Sequence, residues 1–179
     1  MRLWSRVREK ARRQDRGEEG SVTIEFVLLF PVFIALILGG AEIGYFTVSG
    51  AMLDRGLDRA IRDIRLGRMT VVTLDTLKPV VCGYADFLSD CEANIHIALE
   101  SADAYHFTPP ATYATCIDRS AEDLPNTVFS PGAPNELMLV RACLNVDPLF
   151  PTTPFGAALA GDAGNGYSLV ATSGFVYEP

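Results

Sequence analysis

Gly20-Ser21-Val22-Thr23-Ile24-Glu25-Phe26 opens an apolar run that continues to Ala41, and the reading of this stretch decides the fold. Phe26 to Ala41 is sixteen residues without a formal charge. The wider stretch Val22 to Phe46 is 25 residues long. At helical rise that is about 37 Å, sufficient to cross a bilayer with some tilt. Glu25 stands at the mouth of this span and Glu42 near its outer end. A carboxylate at the bilayer centre costs roughly 2.5–3.5 kcal/mol, and less at the edge, so an acidic residue here needs a reason. Pro31 removes one backbone donor and is a candidate kink. Ala35, Gly39, Gly40 and Gly44 recur as small residues, and Gly40 with Gly44 makes a spacing that lets helices approach closely in lipid. The same residues read equally well as ordinary members of a membrane helix.

The charge distribution agrees with a crossing. Residues 1–20 hold seven Lys/Arg and four Asp/Glu, whereas residues 71–179 hold three and thirteen. A basic head, an apolar span and an acidic body fit a cytoplasmic leader and an exported domain. Five arginines, Arg55 to Arg68, follow the span and weaken the contrast across it. The acidic body argues against nucleic acid as a partner, since binding phosphate needs clustered cations.

All four cysteines, Cys82, Cys91, Cys116 and Cys143, fall in the acidic body. An even number on the exported side predicts two disulfides in an oxidising compartment. Three pairings are open. The favoured one closes a short Cys82–Cys91 loop and joins the later segments by Cys116–Cys143.

Beyond the span the helix is expected to continue. Leu53, Leu57, Ile61 and Ile64 recur at helical spacing with Ala60 beside them, charged residues cover the other face, and Gly67 is the stop. The leader, residues 1–20, reads as irregular or removed. A short helix is expected over Thr76 to Leu88 with Pro79 in its first turn. Strands are expected at Ile95–Leu99, Tyr113–Ile117 (weakly), Leu137–Val146 and Ser168–Tyr177. Prolines and glycines mark loops at 108–110, 124–135, 148–154 and 161–166. The fold class is therefore α+β: a long N-terminal transmembrane helix, then a small antiparallel-sheet domain with one short helix. The domain reading is a basic cytoplasmic leader over 1–20, a transmembrane and extended amphipathic helix over 21–67, and an exported acidic α+β domain over 68–179.

Little in the chain speaks for catalysis. The two histidines, His96 and His106, stand apart in sequence, and no nucleophile elbow, zinc-protease helix or phosphate-binding glycine loop occurs. Asp162-Ala163-Gly164-Asn165-Gly166 lacks the alternating acidic ligands of a calcium loop and reads as a turn. No catalytic site, metal or cofactor is expected.

A glycine, four intervening residues and then Glu25-Phe26 at the start of an apolar run resemble the processing signal of type IV prepilins. With Pro31 inside the run and Glu42-Ile43-Gly44 at its end, residues 17–68 resemble the TadE-like family (TadE, TadF, TadG) of Tad/Flp pilus pseudopilins. The resemblance implies a minor pilus-assembly component, cut by a prepilin peptidase between Gly20 and Ser21, with Glu25 needed for processing. Cleavage would give Ser21 an ammonium that Glu25 can pair with, in its own chain or a neighbouring subunit's. It also implies a bacterial inner-membrane location with the C-terminal domain in the periplasm. The implied partners are the peptidase, other Tad pilins, inner-membrane assembly proteins and lipid. The alternative is an uncleaved single-pass membrane-anchored binding or adhesion module.

Overall fold

The computed structural model describes residues 2–69, 71–102, 116–117, 119, 128–130, 132–133, 135–160 and 166–176, with side chains from Val22 onward. The elements run α1 (Arg2–Arg65), α2 (Leu74–Tyr84), α3 (Cys91–Asn94), β1 (Ile95–Ser101), β2 (Leu137–Val146), α4 (Pro154–Ala160) and β3 (Tyr167–Val176). The chain divides into two compact units, Met1–Ala41 and Glu42–Pro179.

The first unit is the N-terminal part of α1. Its leader is helical, where the sequence led us to expect an irregular segment. Arg, Glu, Lys, Gln and Ala are strong helix formers, and a turn added to an existing helix bears no nucleation cost. From Val22 to Phe33 every side chain is exposed, apolar ones included. The helix runs on through Pro31.

In the second unit the far part of α1 is the spine of the core. Leu53, Leu57, Ala60, Ile61 and Ile64 are buried at the expected helical spacing, in one cluster with α2 and all three strands. The helix stops where Gly67 takes a left-handed φ of 66°. There the Gly67 N–H donates to Ile64 O and the Arg68 N–H to Asp63 O, both at 3.0 Å. Glycine matters a second time at Gly56. A Cβ there would lie 2.7 Å from Val81 O and 3.2 Å from Ala85 Cβ, so a bare backbone lets α2 seat against α1. Gly56→Ala should destabilise this unit by about 1 kcal/mol, because overpacking against a backbone carbonyl outweighs the gain in helix propensity. Denaturant unfolding would read it, and an unchanged or raised midpoint would contradict it.

The sheet has the order β1-β2-β3, both pairs antiparallel. Ile95 faces Leu144 and Leu99 faces Val140 across the first pair; Leu144 faces Leu169 and Ala142 faces Ala171 across the second. In β3 the alternation is regular, with Tyr167, Leu169, Ala171 and Phe175 buried and Ser168, Val170, Thr172 and Gly174 exposed. On its other edge β1 is met by Val128–Ser130. The Leu99 N–H donates to Val128 O and the Ser130 N–H to Leu99 O, both at 2.9 Å.

Three local expectations change. Helix α2 starts two residues earlier than Thr76, because Thr73 and Thr76 form a reciprocal cap, each hydroxyl accepting the other's N–H. It ends at Tyr84, so Pro79 lies beyond the first turn, and Leu88 is buried without being helical. The loop expected over 148–154 holds as far as Thr153, and a short helix that was not expected, α4, follows it, started by Thr153. Cys116 and Ile117 carry no strand; the rest of the expected Tyr113–Ile117 strand lies outside the described residues, as do His106, the 108–110 loop and residues 161–165.

Candidate functional site

The residues singled out at the head of the apolar run remain along one helix. Gly20 and Ser21 are helical in backbone, and their side chains lie outside the described residues. Glu25 is exposed, and Phe26 is exposed and stacks along the helix on Phe30 at a 5.1 Å centroid distance. Val22–Arg65 contains a window long and apolar enough to cross a membrane, with mean hydropathy 2.5 and none of it buried within the chain. Ala35 and Gly40 are exposed, and a Cβ built on Gly39, Gly40 or Gly44 would meet nothing within 4 Å. Among the described residues, the surroundings of these glycines are therefore open.

Glu42 behaves differently, and sequence reasoning missed its role. Its side chain is 1% exposed. One carboxylate oxygen accepts the Leu149 N–H and the other the Phe150 N–H, each at 2.9 Å. Two backbone donors on one carboxylate form a charge-assisted clamp between α1 and the loop that follows β2. The clamp extends into α4. The Thr153 N–H and hydroxyl both donate to Phe150 O, the Gly156 N–H donates to the Thr153 hydroxyl, and the Ala157 N–H donates to Thr153 O. Gly156 is required here, since a Cβ would fall 2.0 Å from Phe150 O.

Beside the clamp, Tyr167 is buried and its ring lies 5.2 Å from that of Phe46. Burial, followed by the proximity of Tyr45, Glu42 and Asp147, pushes the Tyr167 hydroxyl well above the ordinary tyrosine range. A pKa raised by folding stabilises the fold fully below the unfolded value of about 10, and that contribution is lost as pH rises through the folded value. Tyr167→Phe should therefore leave the phenolate absorbance gained up to about pH 11 unchanged. Loss of one tyrosine's share of that signal would contradict the assignment.

The cysteines staple the same unit. Cys82–Cys91 ties α2 to α3 with Cα atoms 5.7 Å apart, and Cys116–Cys143 ties the segment before Arg119 to β2 with Cα atoms 5.2 Å apart. Asn145 on β2 donates to Ile117 O and accepts from the Ser168 hydroxyl at 2.8 Å. Arg119 donates to Asn94 Oδ1, Asn145 O and Asp147 Oδ1, so this polar seam is satisfied though Asn145 is buried. On the α1–α2 surface, Arg59, Arg62 and Arg68 surround Asp63 and Tyr84. The Tyr84 hydroxyl donates to Asp63 at 2.7 Å and Arg68 pairs with it at 3.0 Å. The Tyr84 hydrogen bond first, then Arg68, holds the Asp63 carboxyl below the usual carboxylate range. His96 is buried in β1. No group of three or more His, Cys, Asp or Glu with metal-site geometry occurs among the described residues.

Among the described residues, one helix is long and apolar enough to cross a membrane, and it precedes a small, disulfide-stapled sheet unit. Within the chain, residues 20–62 match the family model described as TadE-like protein. No curated protein and no solved structure matches the chain. The matched segment contains Gly20, Glu25, Pro31, Glu42 and Gly44, while Leu149 and Phe150, which Glu42 holds, lie outside it.

Proposed function

We propose that this chain is a minor pseudopilin of a Tad (Flp) pilus, a structural component and not an enzyme. The family match over residues 20–62 carries the reading. In it, the helix from Val22 spans the bacterial inner membrane, with the leader cytoplasmic and the acidic domain periplasmic, where two disulfides can form. A prepilin peptidase cuts the Gly20–Ser21 bond. Glycine suits that position because any side chain would crowd the scissile bond. Glu25 then neutralises the new ammonium of Ser21, in its own chain or in a neighbour's. The face of Ala35, Gly39, Gly40 and Gly44 packs against other Tad pilins or inner-membrane assembly proteins, for which its open surroundings leave space.

Mass spectrometry of the chain from cells with an active prepilin peptidase tests the processing. The expected mature form begins at Ser21, twenty residues shorter than the full sequence. Gly20→Ala or Glu25→Ala should abolish that shortened form or its assembly. A chain still beginning at Met1 beside the active peptidase would overturn the proposal in favour of an uncleaved membrane-anchored binding module.

A further inference from the structure

We propose that the outer edge of β3 is a docking site for β3 of a second copy of this chain, the two strands running antiparallel about a twofold axis and joining two sheets into one. Only the unit Glu42–Pro179 is involved, and the pilus reading is not needed. The hydrogen-bond phase of the sheet decides which backbone groups are open. The Leu99 N–H and C=O both bond Val128–Ser130, on the side away from β2. Backbone groups alternate sides along a strand, so the even-numbered residues of β1 turn theirs toward β2. The Ala102 N–H, in the same phase, donates to Leu137 O at 2.8 Å. Both strand pairs run in unbroken register, Ile95↔Leu144 to Ser101↔Met138 and Leu137↔Val176 to Val146↔Tyr167, and carry this phase across the sheet. In β2 the odd-numbered residues bond β1 and the even-numbered ones bond β3. In β3 the odd-numbered residues bond β2. The N–H and C=O groups of Ser168, Val170, Thr172, Gly174 and Val176 therefore point out of the sheet, and all five residues are exposed. Among the described residues no strand pairs with this edge.

Five donors and five acceptors in a row define the occupant as an extended backbone. Edge strands are commonly protected by lysines, prolines, bulges or a covering segment. Strand β3 has ten residues, no charge, no proline and no break in register. The opposite edge of the sheet is met by Val128–Ser130. What selects a second copy is that β3 complements itself. With Thr172 on the twofold axis, Ser168 faces Val176, Val170 faces Gly174 and Thr172 faces Thr172 of the second copy. All five outward residues then find an outward residue opposite, and each facing pair exchanges two hydrogen bonds. Any other twofold register leaves at least one of the five without a mate. Side chains fit the same register. Val170 packs over the bare Gly174 of the second copy, and the two threonines make a favourable cross-strand pair. No like charges meet on the axis, because the strand carries none.

Amide hydrogen exchange of the full chain in detergent, resolved by NMR over a range of chain concentrations, tests this. The Leu169, Ala171, Ser173 and Phe175 amides bond β2 and should be protected throughout. Those of Ser168, Val170, Thr172, Gly174 and Val176 should slow by about tenfold or more as copies pair. In a mixture of isotope-labelled and unlabelled chains, Ala171 of one copy should contact Ser173 of the other, the close pair beside the axis. Thr172→Lys sets two ammonium groups opposite each other and should return the even-numbered amides to fast exchange while the odd-numbered ones stay protected. Val170→Lys should do the same from the neighbouring pair, and serves should Thr172→Lys disturb the strand itself. Even-numbered amides that exchange fast at every concentration overturn the proposal, even if the chains associate, since the association then runs elsewhere. Protection at every concentration and in both variants shows that the chain covers its own edge. Protection without the Ala171–Ser173 contact shows another register or another partner, and either result also overturns the proposal.

Discussion

Glu42→Ala lowers the stability of the sheet unit by about 3 kcal/mol, the loss expected when one charged acceptor is withdrawn from two backbone donors. The carboxylate is 1% exposed, so bulk solvent does not reach it. Truncation therefore deletes two charge-assisted hydrogen bonds and leaves the Leu149 and Phe150 N–H groups without an acceptor. Glu42→Gln keeps the shape and one acceptor oxygen, but its amide group faces a second donor, so it should fall between the parent and the alanine variant. Denaturant unfolding of the purified chain in detergent, with disulfides intact, reads both. Protease cutting within 148–160 should accelerate in the same order, because α4 depends on Phe150 through Thr153. Equal stability of Glu42→Ala and the parent would mean that the clamp does not hold this loop.

Removing Cys116–Cys143 is expected to lower stability by about 3.5 kcal/mol, and removing Cys82–Cys91 by about 2.6 kcal/mol, on the chain-entropy account of loop closure. The difference follows from the sequence separations of 27 and 9. Each longer loop confines the unfolded chain more, so the bridge closing it contributes more. Paired Cys→Ala substitutions, unfolded in denaturant, measure the two contributions separately. The seam of Asn145, Ile117 and Arg119 gives the Cys116 side additional anchorage, so the larger loss should not be compensated locally. A reversed order would show that the chain-entropy term does not govern this small unit.

Much of the fold was legible from local pattern. The spacing of Leu53, Leu57, Ile61 and Ile64 marks the buried face of α1 because a helix repeats its faces every three to four residues, and Gly67 ends it because glycine accepts φ above zero. Strand β2 was readable from Leu137 to Val146, as was β3 to within one residue at each end. Helix α4 was hidden because three prolines in seven residues look like a break, yet Pro154 only supplies a first-turn residue whose missing N–H is not needed. The helical leader was hidden for a different reason: a polar, charged sequence forms a helix or a coil depending on what it is joined to.

Glu42 marks the limit most clearly. Read along the chain, it is a carboxylate near a membrane edge, a position that any interfacial glutamate could hold. Its partners are 107 and 108 residues away and are backbone N–H groups, which carry no trace of residue identity. By itself the sequence determined the apolar span, the opposed charges of head and body, the supply of cysteines and the TadE-like pattern from Gly20 to Gly44. These are properties of neighbours in the chain, written in hydropathy, charge and period. Only the tertiary structure decided that Glu42 is a clamp and that Gly56 is the seat of α2. Each of those depends on which distant backbone groups come to rest against a side chain, and it is packing of the whole unit that sets this.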